Sequence, residues 1–348
     1  MEEGDKMTDT SDARRATVTI DYNGVDITTE LSRFLIEFTY TDAPPGQLDE
    51  ISLTLEDKGQ KWQGPWNPTE DDQVIAAIRT YHWRWTDDFQ YYPTGVFYVD
   101  TFDFDGPPDK VSIKAVSLPV SSFIRQEQQT RVWEEISLRA IAKDIADRAG
   151  LDLGYYATDN PYYERLDQTE QSDLGFLNET SLKEGISVKL TGGQLVLFDE
   201  ADYEKANPVA TLVRGDDRIL TYSFSWGTSY KAYRACVLTY TNNEDETISA
   251  TFIPPGAPEN GPVLRVNEQV DSYAEAMRVA KNRLREKNKE AGKASISLVG
   301  DVRFSSAVTL NLTGWGRFDG KYITESVTHK VGSSGYTTDL EIRKILGW

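Results

Sequence analysis

The sequence predicts a mainly β chain in which two similar β domains flank a small α+β insert, with one long helix inside the second β domain. Three observations point there. Segments that alternate apolar and polar residues, such as "ATVTIDY" and "ASISLVG", fill both ends of the chain. Helical spacing appears in the middle, at "SLRAIAKDIADRAG" (137–150), and again at 272–291. The stretch 95–114 also shares its plan with 320–343. Each has a glycine, an aromatic-led strand, a glycine-containing turn and a strand ending in two alternating aliphatics before a basic residue, so that Val111 and Ile113 match Leu340 and Ile342. At 348 residues the chain exceeds one ordinary core.

Residues 1–12, "MEEGDKMTDTSD", read as a mobile acidic tail with no apolar h-region, so no secretion signal is expected. The first β domain, 13–122, opens with "ATVTIDYNGVDITTEL", a hairpin about Asn23-Gly24, the favoured pair for a type I′ turn. "SRFLIEFTYTD" and "DEISLTLED" follow as strands joined through "APPGQ". A loop holding Trp62 and Trp66 leads to "VIAAIRTYHWRWTDD" and "GVFYVDTFDFDGPPDKVSIKAVS".

The insert, 123–205, begins with a helix that places Leu138, Ile141, Ala142, Ile145 and Ala149 on one face. Ser137 caps it and Gly150 ends it. A second helix runs from about Ser172 to Glu184 with Gly185 as its stop, Leu174 and Leu177 pointing one way, before a hairpin about Gly192-Gly193. The second β domain, 206–348, has strands in "RILTYSFSWGTSYKAYRACVLTYTN" and "TISATFIPP". A helix then opens on the Ser272/Glu275 capping box and runs to about Ala291. "ASISLVG", "AVTLNLTG", "GKYITESVTHKV" and "YTTDLEIRKI" close the chain as strands.

A net charge of −19 argues against a nucleic-acid grip and against adhesion to anionic lipid, both of which need clustered cations. Cys236 is the single cysteine, so no intrachain disulfide and no cysteine-based zinc site can form; its β-branched and aromatic neighbours predict a buried strand thiol. No apolar run approaches the ~18 residues of a membrane span.

Chemistry is sparse. Asp167, Glu170 and Asp173 stand within seven residues, but they precede or open a helix whose N-terminus favours acids by ~0.3–1 kcal/mol each. They read as a helix entrance. A carboxylate glycosidase using Asp167 and Asp173 is the enzymatic rival. His82 and His329 belong to no metal or zincin pattern, and His329 alternates with Val327 and Val331 as a half-buried strand residue. "DYNGVD" has its glycine too early for a calcium loop and lacks the bidentate Glu. There is no G-x-S-x-G elbow and no phosphate loop, and Gly314-Trp315-Gly316 is a plain loop signal. No catalytic, cofactor-binding or metal residue is therefore predicted, and no cofactor. Trp62, Trp66, Trp83 and Trp85 serve core and interface packing, with a glycan-stacking platform as the rival use. The basic stretch 278–293 carries Arg278, Lys281, Arg285 and Lys289 in one register beside an apolar stripe of Ala276, Ala280 and Leu284. Its expected role is a solvated face or a surface meeting an acidic neighbouring subunit.

Three segments resemble the late control D family of phage tail proteins, the baseplate hubs of contractile tails. They are "RQEQQTRVWEEISLRAIAKDIADRAGL" (125–151), "ERLDQTEQSDLGFLNETSLKEGISVKLTGGQLVLFDE" (164–200), and "SYAEAMRVAKNRLREKNKEAGKASISLVGD" (272–301) with the strands that follow it. The likeness covers about residue 120 to the end; the N-terminal region fits in plan. It implies two tube-like β-barrel domains flanking the insert, in a non-enzymatic homotrimer of the virion baseplate assembled in the host bacterial cytoplasm. The implied partners are the tail tube protein, the central spike protein and other baseplate proteins. DNA would only pass through the lumen, and no stable membrane association is implied. The hub of a DNA-free tail-like particle is the alternative. With the chain closing at Trp348, a separate spike is expected and no attached hydrolase. Interface residues are not identified.

Overall fold

The computed structural model describes residues 13–119, 121–225, 232–241 and 246–348. The acidic tail at 1–12 and the middle of the strand segment beginning at Arg218 lie outside the described residues. The molecule is mainly β. It divides into two compact units, one made of residues 13–40, 50–119 and 329–337, the other of 41–49, 121–328 and 338–348.

The first unit contains β1 (Arg15–Tyr22), β2 (Val25–Asp26), α1 (Thr28–Leu31), most of β3 (Leu35–Asp42), β4 (Glu50–Glu56), β5 (Gln73–Tyr81), β6 (Phe89–Asp105) and β7 (Lys110–Val116). Asn23 and Gly24 both take positive φ, 50° and 80°, so the predicted hairpin turn forms. Its second strand is only two residues long. The Asp26 carboxylate accepts the Thr28 N–H (2.9 Å) and turns the chain into α1 instead. The strands run in the order β3-β4-β7-β6-β5-β1-β2, and residues 329–332 lie beside β3. Alternation is clean on β4, where Ile51, Leu53 and Leu55 are buried, and on the first part of β7, where Val111 and Ile113 are; on β5 the register shift at Ala76/Ala77 leaves Ala76, Ala77 and Ile78 buried in succession.

The insert region of the second unit begins with α2 (Phe123–Gln126), β8 (Gln128–Ser137), α3 (Leu138–Ala149), β9 (Asp152–Tyr155) and β10 (Tyr162–Ser172). It continues with α4 (Asp173–Lys183), β11 (Ser187–Thr191), β12 (Gln194–Phe198) and α5 (Glu200–Tyr203). The Ser137 hydroxyl accepts the Ala140 N–H at 3.4 Å, and Gly150 is left-handed at φ 67°, as predicted. Gly192 and Gly193, at φ 57° and 77°, make the β11–β12 turn. On α4 the buried face is Asp173, Phe176, Leu177, Thr180 and Ser181, while Leu174 is only partly covered. The expected pairing of Leu174 with Leu177 is thus displaced by one position. Strands β8 and β10 pair as a two-stranded ribbon, with a bulge between Gln168 and Gln171.

The rest of the second unit runs through β13 (Ala210–Val213), β14 (Ile219–Phe224), β15 (Ala235–Thr241), β16 (Thr247–Phe252) and β17 (Val263–Val266). Then come α6 (Tyr273–Lys289), β18 (Lys293–Val299), β19 (Thr309–Thr313), β20 (Gly320–Gly332) and β21 (Gly335–Lys344). β14-β18-β21-β20 are neighbours in one sheet, and β13 pairs with β19, which pairs with β20; these strands enclose Phe304, Leu310, Leu312, Val327, Leu340 and Ile342. The helix does not pack into that core. Ala276, Ala280 and Leu284 lie on a separate small sheet, β16-β15-β17, against Cys236 and Leu238. The Ser272 hydroxyl accepts the Glu275 N–H (3.2 Å), while Glu275 reaches back one residue further than a capping box requires, to the Asp271 N–H (2.8 Å).

Candidate functional site

The three acids of 167–173 are drawn apart. Asp167 and Glu170 lie on β10 rather than at a helix entrance, and only Asp173 opens α4. Asp167 is exposed and pairs with Arg165 at 3.0 Å. Glu170 sits at the bulge with φ 48°, its N–H donated to the Thr130 hydroxyl (3.3 Å). Asp173 is fully buried: its carboxylate accepts from Arg148 Nη1 (2.8 Å) and Gln168 Nε2 (2.9 Å). Gln168 in turn accepts from the Trp133 indole N–H, and Trp133 stacks on Phe176 with planes 6° apart. These contacts pin the β8–β10 ribbon to α3 and α4. A carboxylate sealed from solvent cannot reach a sugar, so Asp167 and Asp173 do not form a glycosidase pair.

His329 is fully buried, not half-buried. It stacks on Tyr40, packs against Tyr92, and its Nδ1 lies 2.8 Å from the Tyr336 hydroxyl. His82 accepts the Asp87 N–H at Nδ1 (2.8 Å), closing a tight loop. Among the described residues no group of three His, Cys, Asp or Glu side chains is placed to hold a metal ion. Cys236 is buried on β15, and burial, with Glu268 adding to it, pushes its thiol up to about 11.

The four tryptophans do not form one platform. Trp62 and Trp83 are buried, Trp66 meets Trp62 edge-on at 75°, and Trp85 lies exposed beneath Arg84. A cavity of about 340 Å³ opens beside Trp62 and Trp66, lined also by Tyr22, Ile27, Leu31 and Pro65.

The basic helix is solvated on one side, where Arg278, Lys281 and Lys287 are exposed, and bound internally on the other. Arg278 pairs with Glu184 (2.9 Å) and Arg283 with Glu268 (2.6 Å). Arg285 pairs with Glu204 (2.9 Å), and Lys289 reaches Glu200. The two last acids belong to the α5 turn and also hold Arg343, whose side chain is wholly buried 3.1 Å from Glu200 and 2.9 Å from Glu204. Burial opposes ionisation of Glu200, yet Lys289 and Arg343 together hold its carboxyl below its ordinary pKa. No local pattern betrays this network, because its partners are more than 80 residues apart in sequence.

A second buried cluster also escaped sequence reasoning. Lys189 of β11 lies 2.7 Å from Asp42 and 2.8 Å from Asp49, and donates to the Ala43 carbonyl at 2.5 Å. Burial disfavours its charge, but the two acids hold the ammonium above its ordinary pKa; burial raises Asp49 despite Lys189, with Asp42 adding to the rise. The segment 41–49 is thereby fastened along β11, where Gly46 N–H also donates to Val188 O (2.7 Å).

The buried charged clusters around Glu204, Asp173 and Lys189 thus brace the fold from within. No protein-family model matches the chain. Over 92% of its length, and 90% of the relative's, it is 22% identical to "Probable baseplate hub protein" of Escherichia phage 186. Along nearly its whole length the chain is similar to a phage baseplate hub protein. A second protein of the same name, from Escherichia phage P2, is 27% identical over 58% of this chain and 52% of its own. The tail protein from Neisseria meningitidis MC58 shares the fold, with a TM-score of 0.73 at 12% identity, covering 95% of this chain and 97% of that one.

Proposed function

We propose that the chain is a structural subunit of the virion baseplate hub, a homotrimer that joins a hexameric tail tube to a trimeric central spike and catalyses no reaction. The end-to-end alignment with the hub protein of phage 186 carries this reading. The internal repeat supports it. The matched pairs Val111/Ile113 and Leu340/Ile342 are all buried in hairpin strands. Two similar β domains, 13–122 and 206–348, flank an insert at 123–205, so three chains supply six similar surfaces to a sixfold tube. The chain assembles in the host cytoplasm with tube, spike and other baseplate proteins.

Light scattering of the purified protein over a concentration series, alone and mixed with the neighbouring tube and spike proteins, tests the proposal. A trimer in any of these conditions supports it. A chain that stays single in all of them removes the adaptor mechanism.

A further inference from the structure

Lys189 of β11 faces two carboxylates where an ion pair needs one. Its Nζ lies 2.7 Å from Asp42 Oδ1 and 2.8 Å from Asp49 Oδ1, and all three residues belong to the second unit. The Lys189, Asp42 and Asp49 side chains are only 11%, 8% and 2% exposed, so water is nearly excluded. Each acid is also held by the backbone: Asp42 Oδ2 accepts the Ser306 N–H (2.8 Å), and Asp49 Oδ1 accepts the Ala43 N–H (2.9 Å). The Ala43 carbonyl accepts from Lys189 at 2.5 Å, which fixes the amine between the two acids. In the clusters around Glu204 and Asp173 the cation is arginine, which keeps its proton and cannot act as a nucleophile. A lysine can give its proton up to a neighbouring carboxylate.

We propose that Lys189 and Asp42 condense into an isopeptide bond, with Asp49 as the proton relay, so that the segment 41–49 is joined covalently to β11. Asp49, whose pKa burial raises, takes one proton from the Lys189 ammonium. The freed amine attacks the Asp42 carboxyl carbon, and the Ser306 N–H at Oδ2 stabilises the charge that gathers there. An N–C bond forms and the C–Oδ1 bond breaks. Two of the three ammonium protons pass through Asp49 to Oδ1, which leaves as water. Asp49 ends as it began, and no outside reactant is consumed. Holding the amine against the carboxyl group removes the entropic cost of bringing them together. The product is a neutral amide in place of a buried ion pair whose charges have lost their water, so burial favours condensation over hydrolysis. The event happens once per chain, is not turnover, and does not depend on the hub reading.

The intact mass of the folded, purified chain tests the bond. Wild type is expected to be lighter than its sequence by one water, and protease digestion should release a branched peptide joining the chain around Asp42 to that around Lys189. A mass equal to that of the sequence overturns the proposal. A missing water without the branched peptide marks an internal imide and overturns it too. Lys189→Arg keeps the positive charge but cannot condense, and Asp49→Asn keeps the shape but cannot relay a proton, so both should run at full mass. A bond at Asp42 that persists in Asp49→Asn overturns the relay, and a branch that maps to Asp49 overturns the choice of electrophile. The wild-type measurement needs no variant, so it decides the bond even where a variant fails to fold.

Discussion

Glu204 Oε1 accepts from two guanidinium groups, Arg343 Nη1 and Arg285 Nη2, each at 2.9 Å, and all three side chains are buried. Its second oxygen takes the Leu346 N–H at 3.2 Å. One carboxylate thus ties α6, β21 and the closing segment to the α5 turn. Such clusters hold charges that have lost their water, and they tolerate the loss of a partner poorly.

Glu204→Ala should therefore destabilise the protein by roughly 3–5 kcal/mol, since it takes a carboxylate partner from two buried cations, Arg285 and Arg343. Glu204→Ala combined with Arg343→Met should recover part of that loss. Urea unfolding followed by tryptophan fluorescence reads both. An effect under about 1 kcal/mol for the single change, the range of exposed ion pairs, would mean the network is open to water.

Glu200 gives the pH signature of the same network. Its folded pKa lies below the unfolded value of about 4.3, so its pairs with Lys289 and Arg343 contribute fully above that pH and fade as pH falls through the folded pKa. Wild type should melt higher than Glu200→Gln at pH 7, and the gap should close on acidification. A gap that stays constant from pH 7 to pH 3 would show that the charge contributes nothing.

Local signals were legible and long-range ones were not. Ser137, Gly150, Ser272 and the Gly192-Gly193 turn act on backbone groups within four residues, so the sequence displays them directly. The α6 stripe of Ala276, Ala280 and Leu284 was equally plain, because burial follows the helical period. The β8–β10 ribbon was not. On β8 Trp133 is the single buried residue, on β10 it is Gln168, and such strands lack the alternation that marks a half-buried sheet. The roles of Arg285 and Lys189 depend on acids 81 and 140 residues away, respectively, which no window of sequence brings together.

Asp167 and Asp173, alike in sequence, should separate in experiment. Asp173→Ala removes the partner of Arg148 and Gln168 inside the insert and should cost roughly 3 kcal/mol. Asp167→Ala, on the exposed face of the ribbon, should stay within about 0.5 kcal/mol. Thermal melts of the two variants decide it. Equal effects would contradict the burial difference between them.

Cys236 reports on the packing of α6 against β15. Its side chain is sealed among Leu238, Val279 and Ala280, and its pKa of about 11 leaves roughly a hundredfold less thiolate than an ordinary cysteine has near pH 8. Since the thiolate is the nucleophile, a chromogenic disulfide reagent should leave native protein almost unlabelled while reacting at once in urea. Leu284→Ala, which opens a cavity in the same core, should speed labelling before it changes overall secondary structure. Rapid native labelling of wild type would mean that α6 lifts from its sheet in solution, and that the apolar contacts at Ala276, Ala280 and Leu284 do not hold it there.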